Sequence, residues 1–579
     1  MDAIIGTGKV SKREYEIITE CDADVIVSDG VNINVDIIRP DSEKKFPALV
    51  TMSSFNKEFQ TDRVWPGAAR SRRIRGTPDA CMEAGPTDFF VRRGYVYIIA
   101  SSRGTGKSGG AWRWRCLREA RDLFDLIEWA AEQPWCDGNV GVQGIGYFVA
   151  HAIDVAAMQP PHLKAIAVMS SFFDNYRYFW WKGGILASGF SRWLISLVNM
   201  DVHTQESVLK EELGEEGYNE AIARALEDKD LSANPAIVEA LKNPDLPTNA
   251  ALLDVILHPT YDQFWKDRAI EDHSKVKIPV YHSSSPHRPG ALYHWSEFDV
   301  PKKIFSFPRS YTDRPYFQAA WEVLRWYDYW LKEIDTGIME EPKVRIFVEG
   351  ANEWKTGDDY PFPETRWIPF NLHYNNRMLC EIEPWPDMLS YSYTDAPGDR
   401  GFLKYSSAPM VENTEVVGPL ALNLYASSRG IDINFFIGLW DVDPEGNEIC
   451  LTRGWLKGSH RELDIKRSKP YHPVHTHTNP QPLVPGQIYE FNIALFPTAN
   501  LFEAGHRIVL KISSADDEAE GINEVGMTHL LSQTPNTITI YHNAQYPSHL
   551  LLPITRGNIV GTYVSGGDIS LEKGFMEVK

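Results

Sequence analysis

The stretch GNVGVQGIGYFVAHAIDVAA, residues 138 to 157, begins as a buried strand around Val140 and Val142, passes through a Gly-bounded turn and continues as an apolar helix. A sharp turn of this kind lifts a nucleophilic side chain clear of a sheet edge, and the next residue offers its backbone N–H to a developing oxyanion. The residue at the tip is Gly146, which has no side chain, and the N–H belongs to Tyr147. Removing a nucleophile of this type costs on the order of 10⁶ in turnover, so covalent attack from position 146 is ruled out. His151, five residues further on, borders the same space, although packing within the helix accounts for it as well. Two other patterns suggest chemistry without supporting it. HPVHTH (His472, His475, His477) has the density of a metal site but no acidic or Cys companion nearby. GTGKSGG (Gly104 to Gly110) fails the phosphate-loop spacing, because the first glycine would have to stand at Ser101. No metal and no cofactor are expected.

The elements that must position these residues follow from the pattern of the chain. In the first third, strand-like segments (FPALVTMSS, GYVYIIASS, NVGVQG) alternate with the amphipathic CLREARDLFDLIEWAAEQ, which implies a mostly parallel sheet covered on both faces. Ligands of such sheets sit at the carboxyl ends of the strands. From about 176 to 272 the pattern turns helical and aromatic, as an inserted cap would. Sheet signals return in KIPVYHSSS and KKIFSFPRS, and beyond 346 short alternating segments spaced by Gly, Pro, Asn and Asp read as an antiparallel sandwich. The expected division is core 1–175, cap 176–272, core 273–345 and sandwich 346–579. The 579 residues carry a net charge of −20, which disfavours nucleic acid and anionic membranes as partners. Six scattered cysteines, no run of 18 apolar residues and no apolar segment behind a basic start suggest a reducing, cytoplasmic setting.

Several stretches resemble the CocE/NonD hydrolases, the family of cocaine esterase-like and X-prolyl dipeptidyl-peptidase-like enzymes. SSRGTGKSGG is similar to the family's DVRGxGxSxG segment, IEWAAEQPWCDGNVGVQGIGY to EWxxxQPWxxGxVGxxGxSY, and FPTANLFEAGHRIVLKISSAD to the signature of its C-terminal domain. The resemblance covers nearly the whole chain. It implies an α/β fold class: an α/β-hydrolase core with an inserted helical cap and a C-terminal β jelly-roll domain. It also implies a Ser, an Asp, a His and an oxyanion-hole Tyr. At the matching places stand Gly146 for the Ser, Pro286 or His287 near the Asp, KKIFSFPRSYTDRPYF without a His, and Phe55 for the Tyr, followed by Lys57.

With those positions vacated, the expected function is non-hydrolytic: a cyclase, isomerase or lyase of specialised metabolism acting on a small apolar, polyketide- or terpenoid-like substrate. Orientation within such a chamber contributes about 7 to 11 kcal/mol. Its walls would be Phe55, Gly146, Phe148, His151, Trp180 and Trp181. Tyr147 would bind an oxygen through its N–H, Lys57 would polarise a carbonyl, and His287 with Arg288 would act as acid/base and anion clamp. The alternatives are an ester or peptide hydrolase whose nucleophile has moved to Ser283, Ser284 or Ser285, and a ligand-binding protein without chemistry. The partner is a small molecule, with room left for a homodimer.

Overall fold

The computed structural model describes residues 9–55, 57, 83–170, 173–189, 202, 207–246, 249–284, 290–308, 317–380, 384, 390–517 and 528–557. The core sheet is built from β1 (Ile17–Ile26), β2 (Asn32–Pro40), β3 (Phe46–Ser53), β4 (Val96–Ser101), β5 (Cys136–Ile145), β6 (Leu163–Met169), β7 (Val280–Ser284), β8 (Lys302–Ser306), β9 (Val344–Val348) and β10 (Glu353–Gly357). Their order across the sheet is β1-β2-β4-β3-β5-β6-β7-β8-β9-β10. The strands from β4 through β9 are mutually parallel, while β1, β2 and β10 add antiparallel edges. β3 and β4 are buried at every position. That is the reason for their unbroken apolar runs: both faces of a central parallel strand are covered.

One face is covered by α1 (Leu117–Glu132), which turns Leu123, Leu126, Ile127 and Ala130 inward. The other is covered by α6 (Phe317–Lys332), whose Tyr327 donates its hydroxyl proton to the Val142 carbonyl at 2.7 Å. Gly141 permits this approach, since a Cβ there would lie 2.5 Å from Tyr327 Cε1 and 3.1 Å from Leu49 Cδ2.

Between β6 and β7 the chain forms the expected cap, built on α3 (Val208–Glu227, broken at Gly214), α4 (Pro235–Lys242) and α5 (Ala250–Leu257). Asp254 on α5 accepts bonds from Ser207 Oγ and from the Val208 and Leu209 N–H groups, satisfying donors at the start of α3 that have no intrahelical partner. The core extends further than the sequence pattern suggests, because the expected boundary at 345/346 falls inside β9 and the sheet continues to Gly357. β9, next to the edge of the core sheet, alternates in burial as a sandwich strand does.

The C-terminal domain is one 12-stranded sheet. It closes on itself because the long strand Thr414–Ser428 pairs both with Tyr489–Phe502 and with His549–Arg556. Inward residues such as Leu420, Leu422, Leu424, Phe435, Ile493, Leu510 and Leu552 fill its interior. The cap docks on this domain through backbone bonds, Lys457 N–H to Gly183 O at 2.8 Å and Leu530 N–H to Leu186 O at 2.8 Å. No helix among the described residues is long and apolar enough to cross a membrane.

Overpacking a closed core costs about 1 to 3 kcal/mol, and Gly141→Ala is expected to lower unfolding stability by about that amount in denaturant melts. In a Tyr327→Ala background the same substitution should cost clearly less, because the ring it strikes is gone.

Candidate active site

The site forms where the parallel strands end. β5 finishes at Ile145, Gly146 takes a left-handed backbone (φ 60°), and Gly146–Val149 make a single tight turn before the helix α2 (Ala152–Met158). Glycine adopts this conformation at no steric cost, so the elbow survives without its usual side chain. The first N–H groups of such a turn have no acceptor within it, which leaves the Tyr147 N–H suited to an oxyanion.

Facing the elbow is a residue that sequence reasoning missed. Glu83 accepts the Ile145 N–H on its backbone carbonyl at 2.8 Å. Its side chain turns toward the tip, so that a Cβ at position 146 would lie 3.8 Å from Glu83 Oε2 and 3.9 Å from Oε1. A carboxylate thus borders the space a serine hydroxyl would use. Nothing in the local sequence marks Glu83, which lies 63 positions before Gly146 and meets it only when β3 and β5 pair.

Phe55, Tyr147 and Trp180 do come together, in one cluster with Trp114: Phe55 to Tyr147 at 5.8 Å, Trp114 to Tyr147 at 5.5 Å and Trp114 to Trp180 at 5.5 Å between ring centroids. The Tyr147 hydroxyl accepts the Arg115 N–H at 3.3 Å and reaches Glu119 Oε1 at 3.4 Å. Burial pushes Glu119 above the usual carboxylate range and the Tyr147 phenol above its own. The Tyr147 side chain is therefore a fixed strut, and only its backbone faces the elbow.

Other expected site residues are placed differently. Lys57 does not polarise a carbonyl: its ammonium is buried and bonded to Asp22 at 2.8 Å and Asp36 at 2.7 Å. Burial alone would lower its pKa, and these two carboxylates raise it instead. Phe148 is no pocket wall, because it points beneath the elbow into the cluster of Leu49, Tyr97, Ile145 and Tyr327. His151 is a packed helix residue, its Nδ1 3.1 Å from Asp154 Oδ2. Trp181 lines a separate cavity of about 300 Å³ between cap and C-terminal domain, together with Ile185, Ile256 and Leu257, and neither Gly146 nor Tyr147 borders it. His287 and Arg288 lie outside the described residues, as do Ser285 and the Ser284 side chain. Ser283 is buried, its Oγ without a hydrogen-bond partner among the described residues. The glycine-rich segment is structural too: Arg103 grips Asp122 through two bonds of 2.7 Å, and Ser108 Oγ donates to Ser101 O at 2.7 Å.

The histidines of HPVHTH join the domains. His472 stacks on Tyr293 at 3.8 Å, and His477 shares a hydrogen bond with His460, Nδ1 to Nδ1 at 3.0 Å, which requires one ring to donate and the other to accept. Burial pushes His460 and His475 down to about 3 from an ordinary 6.5. Between those values the unfolded chain holds protons that the folded chain does not, so stability falls as pH drops below about 6.5, by up to about 1.4 kcal/mol per ring per pH unit. Thermal melts are expected to show Tm dropping from pH 7.5 to pH 5, and a flat profile over that interval would contradict neutral buried rings.

Residues 29–296 match the model of the X-Pro dipeptidyl-peptidase (S15 family), and residues 336–551 match that of the X-Pro dipeptidyl-peptidase C-terminal non-catalytic domain. Cocaine esterase of Rhodococcus sp. is 25% identical over 598 residues, spanning 92% of this chain and 98% of that protein. A putative Xaa-Pro dipeptidyl-peptidase of Bacillus anthracis is 24% identical, over 86% of this chain and 82% of that one. The crystal structure of a CocE/NonD family hydrolase from Staphylococcus aureus superposes with a TM-score of 0.77 at 24% identity, over 93% of this chain and 94% of that one. These matches overturn the expectation of a cyclase, isomerase or lyase, which rested on the four vacated positions, at Gly146, near Pro286 and His287, in KKIFSFPRSYTDRPYF and at Phe55: the relatives are named as esterases and peptidases, and the likeness runs through both halves of the chain. The elbow, the cap, the closed C-terminal sheet and these full-length matches together place the chain in the CocE/NonD family of α/β-hydrolases.

Proposed function

We propose that the protein hydrolyses esters of small apolar acids, with Glu83 acting as the base that delivers water in place of the missing hydroxyl nucleophile. The observation that carries this reading is the Glu83 carboxylate beside the empty position at Gly146, on an elbow whose backbone donor is kept. The aromatic rings of Phe55 and Trp114 beside the elbow favour an apolar acyl group, and the similarity to cocaine esterase favours an ester.

The substrate carbonyl oxygen accepts the Tyr147 N–H. Water then attacks the carbonyl carbon while a Glu83 oxygen takes its proton, giving a tetrahedral oxyanion. Collapse of that oxyanion breaks the C–O bond, and the departing alkoxide recovers the proton from Glu83, leaving acid and alcohol as products. An amide would require a far poorer leaving group to depart with help from the same single acid, so X-Pro peptides are the weaker substrates on this reading. A positioned general base contributes about 10² to 10⁴, and one backbone donor contributes about 10² to 10³.

The test is a panel of aryl and alkyl esters of aromatic acids, with alanyl-prolyl p-nitroanilide alongside. Ester turnover is expected, falling by about 10² to 10⁴ in kcat for Glu83→Gln with KM little changed. A fluorophosphonate probe is expected to leave the protein unlabelled. Stoichiometric labelling of a serine, with activity kept in Glu83→Gln, would overturn the role of Glu83 and favour a displaced serine nucleophile. Absence of turnover across the whole panel would overturn ester hydrolysis.

A further inference from the structure

We propose that His273, His294 and Glu297 form a binding site for a divalent transition metal, with Zn²⁺ the best-matched ion, that clamps together the two segments flanking β7. The three residues come from different turns. His273 begins the short turn His273–Lys275, where the chain returns from the cap, whereas His294 and Glu297 follow the helical turn Gly290–Tyr293. The fold nevertheless brings one ligand atom of each within 4.8 Å of the others.

Both rings aim the same nitrogen at the same oxygen: Glu297 Oε2 lies 2.6 Å from His273 Nδ1 and 2.9 Å from His294 Nδ1. Two imidazoles and a carboxylate are a recurrent zinc donor set, with N and O ligands about 2.0 to 2.2 Å from the ion. Around a tetrahedral ion such ligands stand roughly 3.3 Å apart, so side-chain adjustments of under about 1 Å would admit one. The two imidazoles are buried, while Glu297 reaches solvent and gives an ion its way in.

Hydrogen bonding within the trio does not account for all of its polar atoms. His294 Nε2 is buried with no hydrogen-bond partner among the described residues, and so is Nε2 of His282 on β7. The rings of His273, His282 and His294 surround Phe173, with centroids 5.9, 5.3 and 5.4 Å from it. Three histidines thus gather around one phenyl ring, and two of them already turn Nδ1 toward the same carboxylate oxygen. Coordination would use Nδ1 of each ring, the nitrogen already turned toward Glu297 Oε2. This site is independent of the ester-hydrolysis reading and lies apart from Glu83 and Gly146 in its ligands.

The experiment uses full-length, tag-free protein stripped with chelator and titrated separately with Zn²⁺ and Co²⁺. One equivalent of Zn²⁺ is expected to bind and to raise Tm, since an ion that binds only the folded state stabilises it by mass action. Co²⁺ is expected to give the visible bands of a low-coordinate nitrogen/oxygen site. Glu297→Gln, at an exposed position that folding should tolerate, and His273→Gln are each expected to weaken binding at least tenfold, whereas His472→Phe should leave it unchanged. Absence of a Tm shift and of visible bands would overturn the proposal, as would binding that is equally tight in Glu297→Gln and His273→Gln.

Discussion

The Ile145 N–H bond to the Glu83 carbonyl, 2.8 Å long, ties the last residue of β5 to a segment that arrives from the other side of β3. On that side of β5 the ladder with β3 has ended at Val142, and a buried backbone donor must still be satisfied. The same contact brings the Glu83 side chain to the tip of the elbow, while the left-handed turn at Gly146 directs the following N–H groups toward the same space. One backbone bond therefore brings to the elbow the carboxylate that borders its tip.

Charge burial holds the surrounding loops in register. Lys57 with Asp22 and Asp36, and Arg103 with Asp122 and Asp29, each gather ions from separate segments near the strand ends. Removing one partner from such a group leaves an uncompensated charge, which costs about 3 to 5 kcal/mol, more than the intact group contributes in net stability. Their effect is therefore on geometry: they fix Lys57 and Arg103 against carboxylates of separate segments. Glu119, Tyr147 and Arg115 act similarly beneath the elbow, with Arg115 reaching Asn175 Oδ1 at 2.6 Å and so linking the elbow to the base of the cap.

The C-terminal domain participates in shaping the cap. Lys457 and Leu530 donate backbone bonds to Gly183 and Leu186 of the cap, and His472 stacks on Tyr293, which follows β7. The cavity of about 300 Å³ at that junction has Arg224, Asp228, Asp230 and Lys457 among its lining, a mixed-charge rim quite unlike the aromatic cluster over Gly146.

The sequence by itself determined the three-part architecture, because hydrophobic period, helix-to-strand alternation and segment motifs are local properties that survive at 25% identity to cocaine esterase. It placed the elbow at Gly146 and named Phe55, Tyr147 and Trp180, whose rings the structure gathers in one cluster. The end of the core sheet after β10 was not legible there, since β9, next to its edge, alternates just as a sandwich strand does. Nor could local pattern show that Lys57 would meet two aspartates, that Phe148 would turn beneath the sheet, or that His273 and His294 would converge on Glu297. Those facts depend on which distant segments pair, as does Glu83, whose approach to Gly146 exists only once β3 and β5 lie side by side. Tertiary structure alone decided them, because a side chain's chemistry is set by the charges and dipoles that surround it in space.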